Sequence, residues 1–271
     1  MSIFVDVIDD VMDDANASNE KAGSHQNKPS LMLLHGWGLN GAAWDNVRQL
    51  LAPHYKLLIV DLPGHGYSRD EPLTTLDAAA DAIANAMPHP MHLLGWSLGG
   101  QIALTVAYRH AALVDKLVLV STTPRFVVAD DWPYGKKAAV LDDFAKRLET
   151  HYAATIRGFL ALQTMHQPNA RSTIAELQTA MSARGEPSAL SLQAGLNILR
   201  TSDVRELLAT VPHASLVIQG DHDALTSEAA AHWLAGHLPN ANYALMPHAA
   251  HAPFLSHREL FLEHVTKHLR R

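Results

Sequence analysis

The chain has 271 residues, 48% hydrophobic and 18% charged, with a formal net charge of -6 and no cysteine. That size and balance suit one large α/β domain or a domain with an insertion; they exclude disulfides, a cysteine nucleophile and thiolate metal ligands, and the acidic balance argues against a nucleic-acid surface. No apolar run approaches the roughly 18–20 residues that cross a bilayer, and the first residues lack a basic stretch followed by a long apolar one, so a cytoplasmic protein is expected; a monomer is expected as well.

Residues 2–8 read as a first strand. Residues 9–28 carry Asp9, Asp10, Asp13, Asp14 and Glu20 against Lys21 and Lys28 and read as a polar loop or frayed turn, a solvated acidic face. From residue 30 short apolar strands alternate with helices: strands at 31–34, 56–61, 91–96 and 116–121, helices at 41–51, 74–86 and 98–110. That alternation implies a largely parallel sheet covered on both faces. From about 125 to 202 the periodicity is helical only, with helices expected at 137–150, 152–165, 172–183 and 188–201. Alternation resumes with strands at 216–219 and 242–246 and helices at 227–238 and 258–269. The simplest architecture is one α/β core, 1–124 and 203–271, interrupted by a helical cap insertion, 125–202.

The run Gly95-Trp96-Ser97-Leu98-Gly99 has G-x-S-x-G spacing and sits between a predicted strand and a predicted helix. A tight turn there lifts a serine hydroxyl above the sheet, where a base can reach it, and the glycines spare the backbone a collision. A serine nucleophile needs a base, an orienter and oxyanion donors, and in open parallel sheets these gather beyond the carboxyl ends of strands. After the 216–219 strand come Asp221 and Asp223; after the 242–246 strand come His248 and His251. Asp223 is preferred as orienter because it lies farther out in the loop, with Asp221 supporting the turn. His251 is preferred as base over His248, which reads as a surface histidine. The order Ser97, Asp223, His251 is that of an α/β-hydrolase triad. The oxyanion donors are expected to be the backbone N–H of Leu98, at a helix start, and that of Trp37, in the Gly-rich turn His35-Gly36-Trp37-Gly38 after the 31–34 strand.

The segment Asp61-Leu62-Pro63-Gly64-His65-Gly66-Tyr67-Ser68 holds Asp, His and Ser but reads as a strand-to-loop turn, since adjacent residues rarely converge as a triad does. The pairs His248/His251 and His264/His268 lack an H-E-x-x-H or comparable ligand set, so no metal or cofactor is expected.

The motifs His35-Gly36-Trp37-Gly38-Leu39-Asn40, Asp61-Leu62-Pro63-Gly64, Gly95-Trp96-Ser97-Leu98-Gly99-Gly100, Phe159-Leu160-Ala161-Leu162-Gln163-Thr164-Met165 and His251-Ala252-Pro253-Phe254 together resemble the BioH family of pimeloyl-acyl carrier protein methyl ester esterases. The likeness runs from about residue 30 to the end of the chain. Its most specific motif is the Phe159–Met165 run, because insertions usually differ between families. The resemblance implies an α/β-hydrolase fold and hydrolysis of a methyl ester on the far end of a pimeloyl chain carried by acyl carrier protein. It implies Trp37, Leu98 and Phe159 around the acyl chain and arginines, Arg157 and Arg171 here, toward the acidic carrier. Lys146, Arg147, Arg157, Arg171 and Arg184 face only Glu149 and Glu176 in residues 144–184, which suits an acidic partner and equally suits an ordinary solvated helical face. Two departures stand out: Gly158 where the family pattern has arginine, and the acidic 9–28 segment. A broad short-chain esterase or a carbon–carbon bond hydrolase on the same scaffold is the alternative; a receptor without catalysis fits poorly with a complete serine, aspartate and histidine set.

Overall fold

In the computed structural model the described residues are 2–9 and 28–270. They form a seven-stranded sheet: β1 (Val5–Ile8), β2 (Ser30–Leu34), β3 (Lys56–Val60), β4 (Met91–Trp96), β5 (Val114–Val120), β6 (Ala214–Gly220) and β7 (Ala241–Met246). The order is β1-β3-β2-β4-β5-β6-β7. β1 pairs antiparallel with β3, and every other pairing is parallel. The inner strands are apolar on both faces because helices cover both: every residue of β2 and β4 is buried.

The helices are α1 (Asp45–Leu51), α2 (Leu76–Asn85), α3 (Leu98–Arg109), α4 (Ala138–Thr150), α5 (Tyr152–Leu162), α6 (Ala170–Ala183), α7 (Ala189–Thr201), α8 (Glu228–His237), α9 (Pro253–Ser256) and α10 (Arg258–Arg270). Thr75, Ser188 and Ser227 cap α2, α7 and α8, each accepting a backbone N–H through its side-chain oxygen. Most differences from the sequence expectations lie at ends. The first strand is shorter, and the 41–51 helix opens with a tight 3-10 turn at Gly41–Trp44. The short α9 and a 3-10 turn at Arg205–Thr210 were not foreseen. The expected loop at 9–28 lies mostly outside the described residues; of its ends, Asp9 pairs with Lys56 at 3.0 Å.

β5 and β6 are neighbours in register, Lys116 against Ala214 and Val120 against Ile218, although α4–α7 lie between them in sequence. The chain runs outward from β2 to β3 and then crosses to β4 on the other side of β2. That reversal opens a crevice above the carboxyl ends of β2 and β4, where open α/β sheets bind ligands.

Candidate active site

Ser97 occupies the sharp turn from β4 into α3, with φ 56° and ψ -117°. The conformation is unfavourable for a residue with a side chain, and the surroundings enforce it. Ser97 N–H donates to Val120 O at 2.9 Å, and Ser97 O accepts from Gly100 N–H (2.9 Å) and the Thr122 hydroxyl (2.7 Å). Glycine is required on both sides. A Cβ on Gly95 would lie 2.3 Å from Gly99 O, and one on Gly99 would lie 2.5 Å from the carbonyls of Leu34 and His35.

Asp223 and His251 meet as expected. The imidazole Nδ1 lies 2.8 Å from Asp223 Oδ2, and both side chains are almost wholly buried. Burial alone would raise the Asp223 pKa; the His251 charge, its hydrogen bond and the Thr226 donors outweigh it and hold the carboxyl below its ordinary range. An ionised carboxylate only accepts, so Nδ1 carries the proton and Nε2 is left as the basic nitrogen. Asp223 Oδ1 accepts from the backbone N–H groups of Leu225 (2.8 Å) and Thr226 (3.0 Å); Oδ2 accepts from the Thr226 hydroxyl (2.7 Å) and Gln219 Nε2 (3.0 Å). Gln219 and Thr226 were not singled out from sequence. The Asp-x-x-Thr spacing of an Asx-type turn was the available signal for Thr226.

The His251 loop is fixed to the Ser97 turn by aromatic packing. Trp96 Nε1–H donates to His251 O at 2.8 Å, and its ring meets Phe254 edge-on at 4.9 Å. His251 N–H donates to Gln163 O at 3.0 Å, which ties the loop to the residue following α5. Among the described residues neither the Ser97 hydroxyl nor His251 Nε2 has a hydrogen-bond partner within 3.5 Å; such contacts commonly tighten when substrate binds.

The two expected oxyanion donors are free in the same sense: no acceptor among the described residues meets the backbone N–H of Trp37 or Leu98. A Cβ on Gly36 would sit 3.3 Å from Ser97 Cβ, so the 35–38 turn lies directly against Ser97. Two histidines that sequence reading left without a role hold this turn. His35 Nδ1–H donates to Gly36 O (2.8 Å) and its Nε2 accepts Leu62 N–H (3.0 Å); His65 Nδ1–H donates to Pro63 O (2.9 Å) and its Nε2 accepts Gly38 N–H (3.3 Å). Burial lowers their pKa values to about 4 and about 3, so both are neutral. The 61–68 segment is the structural turn expected of it: Asp61 accepts from Gly41 N–H (2.6 Å) and Tyr67 N–H (2.8 Å) and pairs with Arg184 at 3.3 Å.

An apolar cavity of about 230 Å³ opens onto Ser97, walled by Trp37, Phe126, Phe144, Phe159 and Leu199, with Lys136 also lining it. Trp37, Phe144 and Phe159 pack edge-on with centroids 5.1–5.8 Å apart, or tilted in the case of the two phenylalanines. Arg157 and Arg171 are exposed on α5 and α6 and do not line this cavity. Arg184, counted with them in sequence, is nearly buried and neutralised by Asp6 (2.9 Å) and Asp61; Arg147 pairs with Asp143, a residue just outside the 144–184 window.

A sequence profile described as the alpha/beta hydrolase fold matches residues 29–258. The pimeloyl-[acyl-carrier protein] methyl ester esterase of Nitrosomonas europaea is 42% identical over 236 residues, covering 87% of this chain and 94% of that protein. The protein of the same description from Chromobacterium violaceum is 40% identical over 241 residues, covering 89% and 94%. Among solved structures, an esterase from Exiguobacterium antarcticum superposes with TM-score 0.83 at 22% identity, covering 99% of this chain and 96% of that one, a likeness of fold.

Proposed function

Because the chain belongs to the alpha/beta hydrolase fold family and, within it, to the pimeloyl-[acyl-carrier protein] methyl ester esterases, we propose that Ser97, His251 and Asp223 act together on the methyl ester of a pimeloyl chain held by acyl carrier protein. The protein is a serine carboxylic-ester hydrolase; its products are the pimeloyl-carrier acid and methanol, a step of biotin synthesis. Residues 125–202 serve as a cap over a core of 1–124 and 203–271.

In this reading Ser97 Oγ attacks the ester carbonyl as its proton passes to His251 Nε2. The N–H groups of Trp37 and Leu98 receive the oxyanion, and a single such donor is worth about 3–4 kcal/mol in the transition state. The tetrahedral intermediate collapses, and methoxide takes the proton from His251 and leaves as methanol. Water then gives its proton to His251 and attacks the acyl-serine; collapse returns the proton to Ser97 and frees the acid. Asp223 keeps the imidazole in the tautomer with Nε2 basic and stabilises the imidazolium formed in each half.

The observation that carries the reading is the apolar cavity ending at Ser97. An alkyl chain fills such a slot without leaving polar groups unpaired, whereas the thioester, pantetheine arm and protein carrier stay outside. Lys146, Arg157 and Arg171 are exposed and have no ion-pair partner among the described residues, and they are the cations offered to an acidic carrier. The test is methanol release from methyl pimeloyl-carrier protein, with growth of a biotin-requiring host that lacks its own esterase. Wild type is expected to turn over and restore growth, and Ser97→Ala to do neither while folding normally. Cleavage of simple esters without rescue would favour the broad esterase.

A further inference from the structure

Asp221, His222 and His248 lie outside the catalytic set, and the mechanism uses none of them. They come from the two loops that carry Asp223 and His251. One ligand atom from each lies within 4.8 Å of the other two. We propose that these three residues form a zinc site that ties the β6 and β7 loops together, with water completing the coordination.

The hydrogen bonding fixes which atoms face one another. His222 Nδ1 lies 2.9 Å from His166 O, and a carbonyl only accepts, so Nδ1 carries the hydrogen and Nε2 is the nitrogen left to act as a ligand. A metal-bound histidine is held in the same way, its second N–H donated to a backbone carbonyl. Nε2 is 4.0 Å from Asp221 Oδ1. That carboxylate oxygen is buried and has no hydrogen-bond partner. Two acceptors thus face each other with no donor between them, an arrangement a cation relieves. Tetrahedral zinc with N and O ligands at about 2.0–2.2 Å separates neighbouring ligand atoms by about 3.4 Å, so the pair needs to close by only about 0.6 Å from 4.0 Å.

His248 supplies the third ligand from an exposed position, with its ring centroid 5.5 Å from that of His222. Its φ of 61° is a conformation that bulky residues avoid. The scaffold beneath is stiff: His222 N–H donates to Ala249 O at 2.9 Å, and a Cβ on Gly220 would lie 2.3 Å from the same oxygen. Two imidazoles and one carboxylate suit a borderline transition ion such as zinc, and among the described residues the oxygen-rich shell that calcium and magnesium need is not assembled here. Three protein ligands with open positions leave room for water.

The experiment is calorimetric titration of the untagged, chelator-treated chain with Zn²⁺, repeated with Co²⁺ to read its visible spectrum. Wild type is expected to bind one Zn²⁺ in the micromolar range, to give a four- or five-coordinate Co²⁺ spectrum, and to melt several degrees higher with zinc than with chelator. His248→Asn, chosen because asparagine tolerates the left-handed backbone, and Asp221→Asn should each weaken binding at least about tenfold and remove the melting shift. Their melting points in chelator should match wild type, showing intact folds. No binding below millimolar Zn²⁺, a six-coordinate Co²⁺ spectrum, or undiminished affinity in both variants overturns the site and leaves a proton on His222 as the cation.

Discussion

Two aspartates two positions apart share a loop and face different surroundings. Asp223 is enclosed by the Leu225 and Thr226 backbone donors, the Thr226 hydroxyl, Gln219 and His251, whereas Asp221 retains a quarter of its side-chain surface. Replacing Asp223 by Asn puts an amide against Nδ1. If its NH₂ faces the ring, Nδ1 must become the acceptor and the proton moves to Nε2, which removes the lone pair of the proposed base. Asp223→Asn is therefore expected to lower kcat by about 10⁴-fold with a native circular dichroism spectrum, while Asp221→Asn in chelator stays within about twofold of wild type. Equal losses in steady-state assays of the two variants would reverse the assignment. That Asp223 rather than Asp221 meets His251 was legible, because Asp223 lies farther out in the loop. Gln219 was not, since a strand-end glutamine carries no mark of whether its amide points to a carboxylate or to solvent.

The helices α4–α7 were legible as helices from their period, but their grip on the site was not, because it depends on residues far apart in sequence. Trp37 Nε1–H donates to Leu192 O at 2.9 Å. One turn along α7, a Cβ on Gly195 would lie 2.6 Å from Trp37 Cδ1. The missing side chain lets the indole lie on the helix, in edge contact with Phe144 and Phe159. Gly195→Ala is expected to displace the ring, cost about 1–3 kcal/mol through overpacking, and lower kcat/KM for long-chain acyl esters more than for acetyl esters. Gly158, inside α5, has nothing within 4 Å of its Cβ position. Gly158→Ala is expected to stabilise by about 0.5–1 kcal/mol through backbone entropy with kinetics unchanged. Urea denaturation and paired kinetics distinguish a packing role for Gly195 from ordinary helix propensity: if both alanines stabilise, α7 does not set the position of Trp37. The same blindness to distant partners explains Arg184, a surface cation by sequence that instead ties the end of α6 to the half-buried Asp6 and the buried Asp61.

For the molecule as a whole, the turn that holds Trp37 couples stability to pH. His35 and His65 are fully buried, their rings 5.3 Å apart, with pKa values near 4 and 3 because burial opposes the charged form. In the unfolded chain both return to about 6.5. Above that value both states are neutral, and the two histidines add no pH dependence. Below it the unfolded chain takes up protons that the folded one refuses, so stability falls with pH until the folded pKa values are reached. Between pH 7 and pH 5 each contributes a loss of roughly 2 kcal/mol. His92 and His257, also lowered mainly by burial, act in the same direction. Urea midpoints at pH 7.5, 6 and 5 are expected to fall steeply, corresponding to uptake of about two or more protons on unfolding, at a pH where most carboxylates have yet to titrate. A midpoint unchanged from pH 7.5 to 5 would mean that the pair is protonated in the folded state. The Gly38 N–H would then lose its acceptor on His65, and these two rings could not be what holds the 35–38 turn against Ser97.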